Sequence, residues 1–276
     1  LEASDPKPWL AGGRVLQLSA PILHMPPTAP STSYVVWHTQ RTGSTLLCTA
    51  LEAAGVAGHP DEWPGHGLKA TTESAATIRD RLWSKQSTPN GVLGVKWSYH
   101  QPTIDDFYRV FGRGRSGERS EAREVWESVF PSCHHIVMTR RNKIRLAVSW
   151  WKSISGGQWH LSHDGSPLPW QSTIPQAPVD LADAYDFRAI KALVSEAIQR
   201  EAALHSLLQE LGASPLSVTY EDFVANYEQT VQGVLNHLEL QDSVAETPPP
   251  LLARTSDDVN EEWVRRFLAD LNRQAG

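Results

Sequence analysis

The chain has 276 residues, of which 40% are hydrophobic and 20% charged, and its formal net charge is −6. This length and composition are ordinary for one large α/β domain, or two small domains, with a substantial core. The acidic balance argues against a general nucleic-acid-binding protein, which usually carries a basic surplus. Because no run of about 18 apolar residues occurs, no membrane-spanning helix is expected.

The cysteines and the N-terminal segment indicate the compartment and the domain boundary. The two cysteines, Cys48 and Cys133, both lie in apolar surroundings, so we expect free thiols and a reducing compartment, the cytoplasm. No signal peptide is predicted, because the first residues lack a basic segment followed by an apolar one. Residues 1–32 are rich in Pro, Ala and Ser and are predicted to form an arm or linker. A single domain is expected over residues 33–276.

Residues 33–55 combine a strand, a polar turn and a helix. An apolar, β-branched run over 33–37 predicts a buried strand, and leucine and alanine at helical spacing over 46–54 predict a helix. The turn over 40–45 carries one cation and three hydroxyls. Such a turn aims backbone N–H groups and a helix N-terminus at an anion; the alternative is an ordinary turn that Gly43 merely permits. A Walker A loop is excluded, because its first glycine and its lysine are missing.

The rest of the chain alternates strands and helices. Further strands are predicted over 91–98, 134–139 and 215–220. Helices are predicted over 72–86, 102–111, 118–130, from a cap at 140–142 to 154, and over 183–211, 221–240 and 261–272. The alternation predicts a three-layer α/β fold with a mostly parallel sheet and a P-loop-like strand–loop–helix. The loop over 155–178 is long enough to be functional or mobile.

The carboxyl ends of the predicted strands bring several cations together. Ligands of open parallel sheets bind beyond those ends. Here the ends carry the turn at 40–45, Lys96, the segment 140–142 and the pair 220–221, and three of the four supply cations. Ser149 lies about two helical turns beyond the arginines of the third end, where it can help to hold a second phosphate. Each arginine taken alone can instead pair with a surface carboxylate.

Four segments, in this order, carry a resemblance to a known family. QRTGSTLL, TRRNKIRLAVSWWK, VTYEDF and RTSDDVNEEWVRRF resemble sulfotransferases, and most closely the bacterial trehalose 2-sulfotransferase family, over about residues 33–270. The resemblance implies an α/β sulfotransferase fold and transfer of a sulfuryl group from 3′-phosphoadenosine 5′-phosphosulfate (PAPS) to an acceptor hydroxyl without a metal. Members of that family form dimers, which makes a homodimer one expectation here.

The resemblance also assigns donor-binding roles to individual residues. It implies that the 5′-phosphosulfate lies on Arg41, Thr42, Gly43, Ser44 and Thr45, and the 3′-phosphate on Ser149, Arg254 and either Arg140 or Arg141. Bacterial relatives favour Arg140 by position, whereas the Arg-Asn pair and spacing of eukaryotic cytosolic sulfotransferases favour Arg141. Lys96 is implied to line the junction between donor and acceptor.

The segment GHPDEW resembles the family's GEPQE segment. The match implies that Glu62 is the general base, because an aliphatic hydroxyl needs a base within reach. The family's earlier glutamate, a sugar contact in the trehalose enzyme, is His59 here, and Pro64 with Gly65 replaces an aromatic residue. These two departures argue against a trehalose pocket, although the donor segments match. His59 is an alternative base or acceptor contact.

Two tryptophans and the remaining histidines complete the candidate residues. Trp97 and Trp159 are candidate acceptor contacts, although a packing role is equally compatible with indole side chains. His134, His135, His160 and His163 lack the spacing of a zinc site, so no metal is predicted. The acceptor is expected to be a carbohydrate or another small molecule, such as a natural product.

Two other function classes remain as alternatives to the sulfotransferase reading. One is a nucleotide kinase or hydrolase on a related fold, which the missing Walker lysine disfavours. The other is a non-catalytic carbohydrate-binding module that uses some of the 11 tryptophans.

Overall fold

The structure is a computed structural model that describes residues 28–64, 68–69, 71–112, 119–157, 159–160, 181, 183–244, 246–253 and 257–275. Several predictions therefore lie outside the described residues. They are most of the arm over 1–32, Gly65, Arg254 and most of the loop over 155–178. Within the described part of the chain, no helix is long and apolar enough to cross a membrane.

Five strands form one sheet in the order β2-β3-β1-β4-β5, and neighbouring strands run parallel. They are β1 (Thr32–His38), β2 (Asp61–Glu62), β3 (Val92–Ser98), β4 (Cys133–Thr139) and β5 (Leu216–Thr219). The α/β class and the mostly parallel sheet predicted from the sequence are confirmed. β2 is not among the strands predicted from the sequence, because two residues are too few to show a strand period.

Helices connect the strands and cover the sheet. They are α1 (Ser44–Ala53), α2 (Ala75–Gln86), α3 (Gln101–Phe111), α4 (Arg119–Val129), α5 (Lys143–Gly156), α6 (Phe187–Glu210), α7 (Tyr220–Ala225), α8 (Tyr227–His237) and α9 (Asp258–Ala275). The single helix predicted over 221–240 is wrong. At Asn226 the backbone leaves the helical region (φ −135°, ψ 53°). Its N–H donates back to Asp222 and its carbonyl accepts from Thr230, so α7 ends where α8 begins.

The core lies on both faces of the central strand β1. Val35 and Trp37 join a cluster with residues of α2, α3, α4 and α6, whereas Tyr34 and Val36 join a second cluster with α1 and α8. Alternation along a strand explains this division, because successive side chains point to opposite faces. In the first cluster Trp37 stacks on Trp97 with ring centroids 5.1 Å apart. Both indoles therefore stabilise the core.

Parallel pairing places the carboxyl ends of the strands at one edge of the sheet. His38 ends β1, Glu62 ends β2 and Ser98 ends β3. The chain leaves β1 directly into the loop before α1, and it leaves β4 directly into the residues before α5. The candidate residues at the predicted strand ends are thus collected at a common edge, as the parallel topology requires.

Candidate functional site

The loop over residues 39–43 turns the chain from β1 into α1. Arg41 and Gly43 both have positive φ, 64° and 82°, and Thr42 Oγ1 closes the loop by donating to the carbonyl oxygen of Thr39 at 2.9 Å. A Cβ on Gly43 would lie 2.7 Å from Cδ2 of Tyr220. Glycine is therefore required at this position by both backbone conformation and space. Because it supplies no capping side chain, the first N–H groups of α1 open at this edge, where they can bind an anion.

The Arg41 side chain joins this loop to α5. Its Nε donates to Oγ of Ser149 at 3.0 Å, and its Nη1 donates to the carbonyl oxygen of Trp159. Ser149 is buried on α5, two turns beyond the arginines that follow β4. Two segments separated by more than 100 residues therefore meet at one side chain.

The two neighbouring arginines after β4 differ sharply in environment. Arg140 is 8% exposed; its Nη1 lies 3.4 Å from the carbonyl oxygen of Arg41, and its guanidinium lies 4.6 Å from the ring centroid of Tyr220. The Arg141 side chain is 64% exposed and pairs with Asp222 at 2.7 Å. The structure thus brings Arg140, rather than Arg141, to the loop that precedes α1.

The charges of Arg41 and Arg140 lie close together in a buried place. Burial, followed by the charge of Arg140, lowers the pKa of Arg41 to about 10. Each guanidinium therefore disfavours the charge of the other, and a bound anion would relieve this repulsion. The pair has the electrostatic character of an anion site.

Lys96, Glu62 and His38 form a second group at the ends of β3, β2 and β1. The register places Glu62 opposite Lys96, and Lys96 Nζ lies 2.9 Å from Glu62 Oε2. The same Nζ donates to Oγ1 of Thr45 on α1 at 3.0 Å. On the other side of the carboxylate, His38 Nε2 lies 3.4 Å from Glu62 Oε1. Glu62 is thus flanked by a lysine on one oxygen and a histidine on the other.

Glu62 is an ionised carboxylate that solvent can reach. Burial acts to raise its pKa, but its contacts with His38, when that ring is protonated, and with Lys96 outweigh burial and hold the pKa well below its usual range. The Glu62 side chain is nevertheless 44% exposed. It is therefore available at neutral pH to accept a proton from a group placed beside it.

Glu62 borders a cleft of about 400 Å³. The lining residues are Gln40, Glu62, Trp63, Pro64, Trp97, Ser98, His100, Thr103 and Arg200. Trp63 and Pro64 also border a second cleft, of about 240 Å³, which reaches Glu62 from the side of α2. The first cleft combines indole walls with amide, hydroxyl and guanidinium groups, a mixture suited to a polar ligand with apolar faces.

The other predicted acceptor contacts occupy different surroundings. His59 Nδ1 lies 3.5 Å from Glu52 on α1, and the ring is half-exposed. Trp97 is only 1% exposed, so it is a core residue that also borders the cleft. Trp159 meets Arg41 through its carbonyl oxygen, while its side chain is exposed.

Three residues that the sequence analysis did not select belong to the site. His38 directly follows the first predicted strand, so the rule that ligands bind at strand ends identifies it in retrospect. Trp63 follows Glu62 in the chain. Arg200 lies inside α6, and no sequence motif marks it as a site residue. Its side chain forms an ion pair with Glu196 and lies 5.5 Å from the ring centroid of Trp150.

Across the described ranges, no group of three or more His, Cys, Asp or Glu side chains is arranged to hold a metal ion. The positive charge at the site comes from Arg41, Arg140 and Lys96.

Comparisons with known proteins identify the family. A family model described as Stf0 sulphotransferase matches residues 33–270. The trehalose 2-sulfotransferases of Mycobacterium tuberculosis and Mycolicibacterium smegmatis are 27% and 28% identical to the chain over 274 residues, covering 87% and 88% of this chain and 96% of each relative. A solved sulfotransferase from Alicyclobacillus acidocaldarius matches with 15% identity and a TM-score of 0.41, over 89% of this chain and 94% of that one, which is too weak to support an argument. Because the family model spans most of its length, the chain belongs to the Stf0 sulphotransferase family.

Proposed function

We propose that this protein transfers the sulfuryl group of PAPS to a hydroxyl of a carbohydrate or another small acceptor. The observation that carries the proposal is the 3.0 Å contact between Arg41 and Ser149. It joins the loop proposed for the 5′-phosphosulfate to the helix proposed for the 3′-phosphate, so one nucleotide can span both.

The donor would be held by groups from α1, α5 and the loops that precede them. In this proposal Arg41, Thr45 and the N–H groups of the loop bind the 5′-phosphosulfate, with Thr42, Gly43 and Ser44 shaping the loop. Ser149 and Arg140 bind the 3′-phosphate. Arg140 is preferred to Arg141 because it is buried beside Arg41, whereas Arg141 is occupied by Asp222 at the surface. Arg254, outside the described residues, stays a sequence prediction for the same phosphate.

The transfer is proposed as an in-line displacement at sulfur. The acceptor oxygen forms a bond to sulfur, the bond from sulfur to the bridging phosphate oxygen breaks, and the acceptor proton passes to Glu62. Negative charge grows on the leaving phosphate, where Arg41 and Lys96 would stabilise it. A single sulfuryl transfer has no triphosphate to gather, so the proposal includes no metal.

Glu62, rather than His59, is proposed as the base. Glu62 is ionised, accessible and in contact with Lys96, which in turn contacts Thr45 of the donor loop. His59 instead faces Glu52 on α1. A base in reach of the acceptor hydroxyl contributes about 10²- to 10⁴-fold to the rate.

The acceptor is proposed to occupy the 400 Å³ cleft beside Glu62. Trp63 and Pro64 offer flat apolar surfaces, and Gln40 and Arg200 offer hydrogen-bonding groups. Sugars present both apolar faces and hydroxyls, so the cleft suits them. The activity named for the two mycobacterial relatives, on trehalose, supports a carbohydrate acceptor.

The compartment remains a proposal from the cysteines. Cys48 and Cys133 are both free thiols, which is compatible with a reducing compartment such as the cytoplasm. A homodimer stays an expectation from the resemblance.

The donor assignment is tested by thermal shift with two nucleotides. The desulfated donor, 3′-phosphoadenosine 5′-phosphate (PAP), should raise the Tm strongly, while ATP, which lacks a 3′-phosphate, should raise it much less. Equal shifts would contradict the assignment. With labelled PAPS and trehalose or other disaccharides, Arg41→Ala and Glu62→Gln should both lose transfer, but Glu62→Gln should retain the PAP shift. Loss of that shift in Glu62→Gln would remove the assignment of Glu62 as base.

A further inference from the structure

We propose that His38 is a positioning residue that completes the base: the proton that Glu62 takes from the acceptor passes on to Nε2 of His38. This inference rests on the proposed function, because it requires Glu62 to be the base. It rests on three features of His38: its tautomer, the position of its second ring nitrogen, and the environment of the carboxylate between His38 and Lys96.

The tautomer of His38 follows from its contact with the backbone. Nδ1 lies 3.0 Å from the carbonyl oxygen of Thr39. A carbonyl oxygen can only accept a hydrogen bond, so Nδ1 carries the hydrogen. In the neutral ring Nε2 therefore has a lone pair and is ready to accept a proton.

The accepting nitrogen is aimed at Glu62. His38 is 5% exposed, and Nε2 makes no well-formed hydrogen bond to any group in the described part of the chain. Oε1 of Glu62 lies 3.4 Å from Nε2. A buried acceptor without a donor is unfavourable, and a proton arriving on Oε1 would satisfy it. Nε2 of His38 therefore gains a hydrogen-bond donor only when Oε1 of Glu62 is protonated.

The Glu62 carboxylate needs such an acceptor because it is a weak base on its own. Lys96 Nζ lies 2.9 Å from Oε2 of Glu62 and favours the ionised carboxylate, so a proton on Glu62 would be poorly retained. An imidazole nitrogen is ordinarily about two pKa units more basic than a carboxylate. Passing the proton to His38 leaves the carboxylate ionised next to Lys96, which preserves their ion pair.

The proton and electron balance of the step is simple. The acceptor O–H bond breaks and its electron pair forms the bond from oxygen to sulfur. The bond from sulfur to the phosphate oxygen breaks, and its electrons leave with the phosphate. The proton reaches Nε2 by way of Glu62, and His38 becomes an imidazolium that retains Nδ1–H. Solvent removes the proton after the products leave.

The charged and titratable groups around His38 come from separate elements. Glu62 faces it from β2, with Lys96 of β3 on the far oxygen of that carboxylate. His160, beyond α5, interacts electrostatically with His38 and with Arg41. Burial, followed by the charges of Arg41 and Lys96, lowers the pKa of His160 to about 4. His160 is therefore neutral through the neutral range.

The test measures kcat against pH for the wild type and His38→Gln, with PAPS and an accepted disaccharide. Glutamine has no nitrogen that can accept a proton. His38→Gln should lower kcat at least about tenfold, a modest share of what acid–base catalysis provides. It should also change the pH profile of kcat, because the base would then consist of Glu62 alone. The KM for PAPS and the PAP-induced shift in Tm should stay unchanged.

A matched control uses a second buried histidine. His135 on β4 is as deeply buried as His38, and its Nδ1 accepts from the indole N–H of Trp37 at 3.0 Å. His135→Gln places the same amide in the core without touching Glu62 and should keep the wild-type pH profile. If His38→Gln does not fold, His38→Asn, which is shorter and also lacks a proton-accepting nitrogen, gives the same comparison.

The possible failures can be told apart. If the wild type is active and His38→Gln keeps both its kcat and its pH profile, the inference is overturned and the proposed function stays intact. A folded His38→Gln that loses the PAP shift would assign His38 a structural role and overturn the inference as well. A wild type that transfers nothing from PAPS would overturn the proposed function itself.

Discussion

Replacing Arg140 and Arg141 separately by alanine tests which arginine holds the 3′-phosphate of the donor. The two are adjacent in the chain, yet Arg140 is buried against Tyr220 and Arg141 forms an exposed pair with Asp222. We expect Arg140→Ala to weaken the binding of PAP and Arg141→Ala to leave it unchanged. Arg141→Ala is therefore the matched control for Arg140→Ala.

The size of the Arg140 effect follows from the contact that would be lost. A hydrogen bond to a charged group contributes about 1.5–3 kcal/mol, which corresponds to an increase of about 10- to 150-fold in Kd. Arg140→Ala also removes the contact with the Tyr220 ring at 4.6 Å, a cation–π interaction that contributes about 0.5–2 kcal/mol to stability. The Tm of the free protein should therefore fall as well, whereas an exposed ion pair such as that of Arg141 contributes little.

Calorimetric titration with two nucleotides separates these contributions. PAP carries the 3′-phosphate, and adenosine 5′-phosphosulfate lacks it. If Arg140 holds that phosphate, Arg140→Ala weakens the binding of PAP but not the binding of adenosine 5′-phosphosulfate. Equal weakening of both ligands would show that Arg140 only supports the loop at Arg41. If Arg141→Ala weakens the binding of PAP and Arg140→Ala does not, the assignment is refuted.

Two further predictions concern the loop and the acceptor cleft. Gly43→Ala should lower the free energy of unfolding in urea by more than Gly55→Ala. Both glycines have positive φ, a strain of about 1–3 kcal/mol for other residues, but only the new Cβ at Gly43 meets the Tyr220 ring, while Gly55 has open space. Equal losses would show that Tyr220 moves aside freely. Trp63→Ala should raise the KM for the acceptor without changing the affinity for PAP. Trp63→Phe, which keeps an aromatic ring, should raise that KM by less. An unchanged KM in Trp63→Ala would place the acceptor elsewhere.

Much of the fold was predictable because its signals are local. The strand over 33–37 is apolar and β-branched, and α5 begins after Asn142, whose side chain accepts from the N–H of Arg145 at 2.9 Å. Such residues favour an element through local interactions alone. The division at Asn226 was not predictable in the same way, since the residues on both sides of it favour helix.

The meeting of Arg41 with Ser149 was also predictable, whereas the approach of Arg200 to the cleft was not. Arg41 and Ser149 each follow a strand that the sequence reveals, so the topology of parallel strands is enough to bring them to one edge. His38 was accessible to the same rule. Arg200 was not, because it reaches the cleft from the middle of α6, and only the packing of that helix decides which of its side chains face the site.

The register of β2 shows why the Glu62 environment needed the structure. β2 has two residues, and its pairing places Asp61 opposite Val95 and Glu62 opposite Lys96. Since side chains alternate across a sheet, a slip of one residue would place Asp61 opposite Lys96 and turn Glu62 to the other face. Neither hydrophobic pattern nor propensity can specify such a short strand. The ion pair with Lys96 and the approach to His38 therefore depend on tertiary pairing alone, and those two contacts determine the protonation of the proposed base.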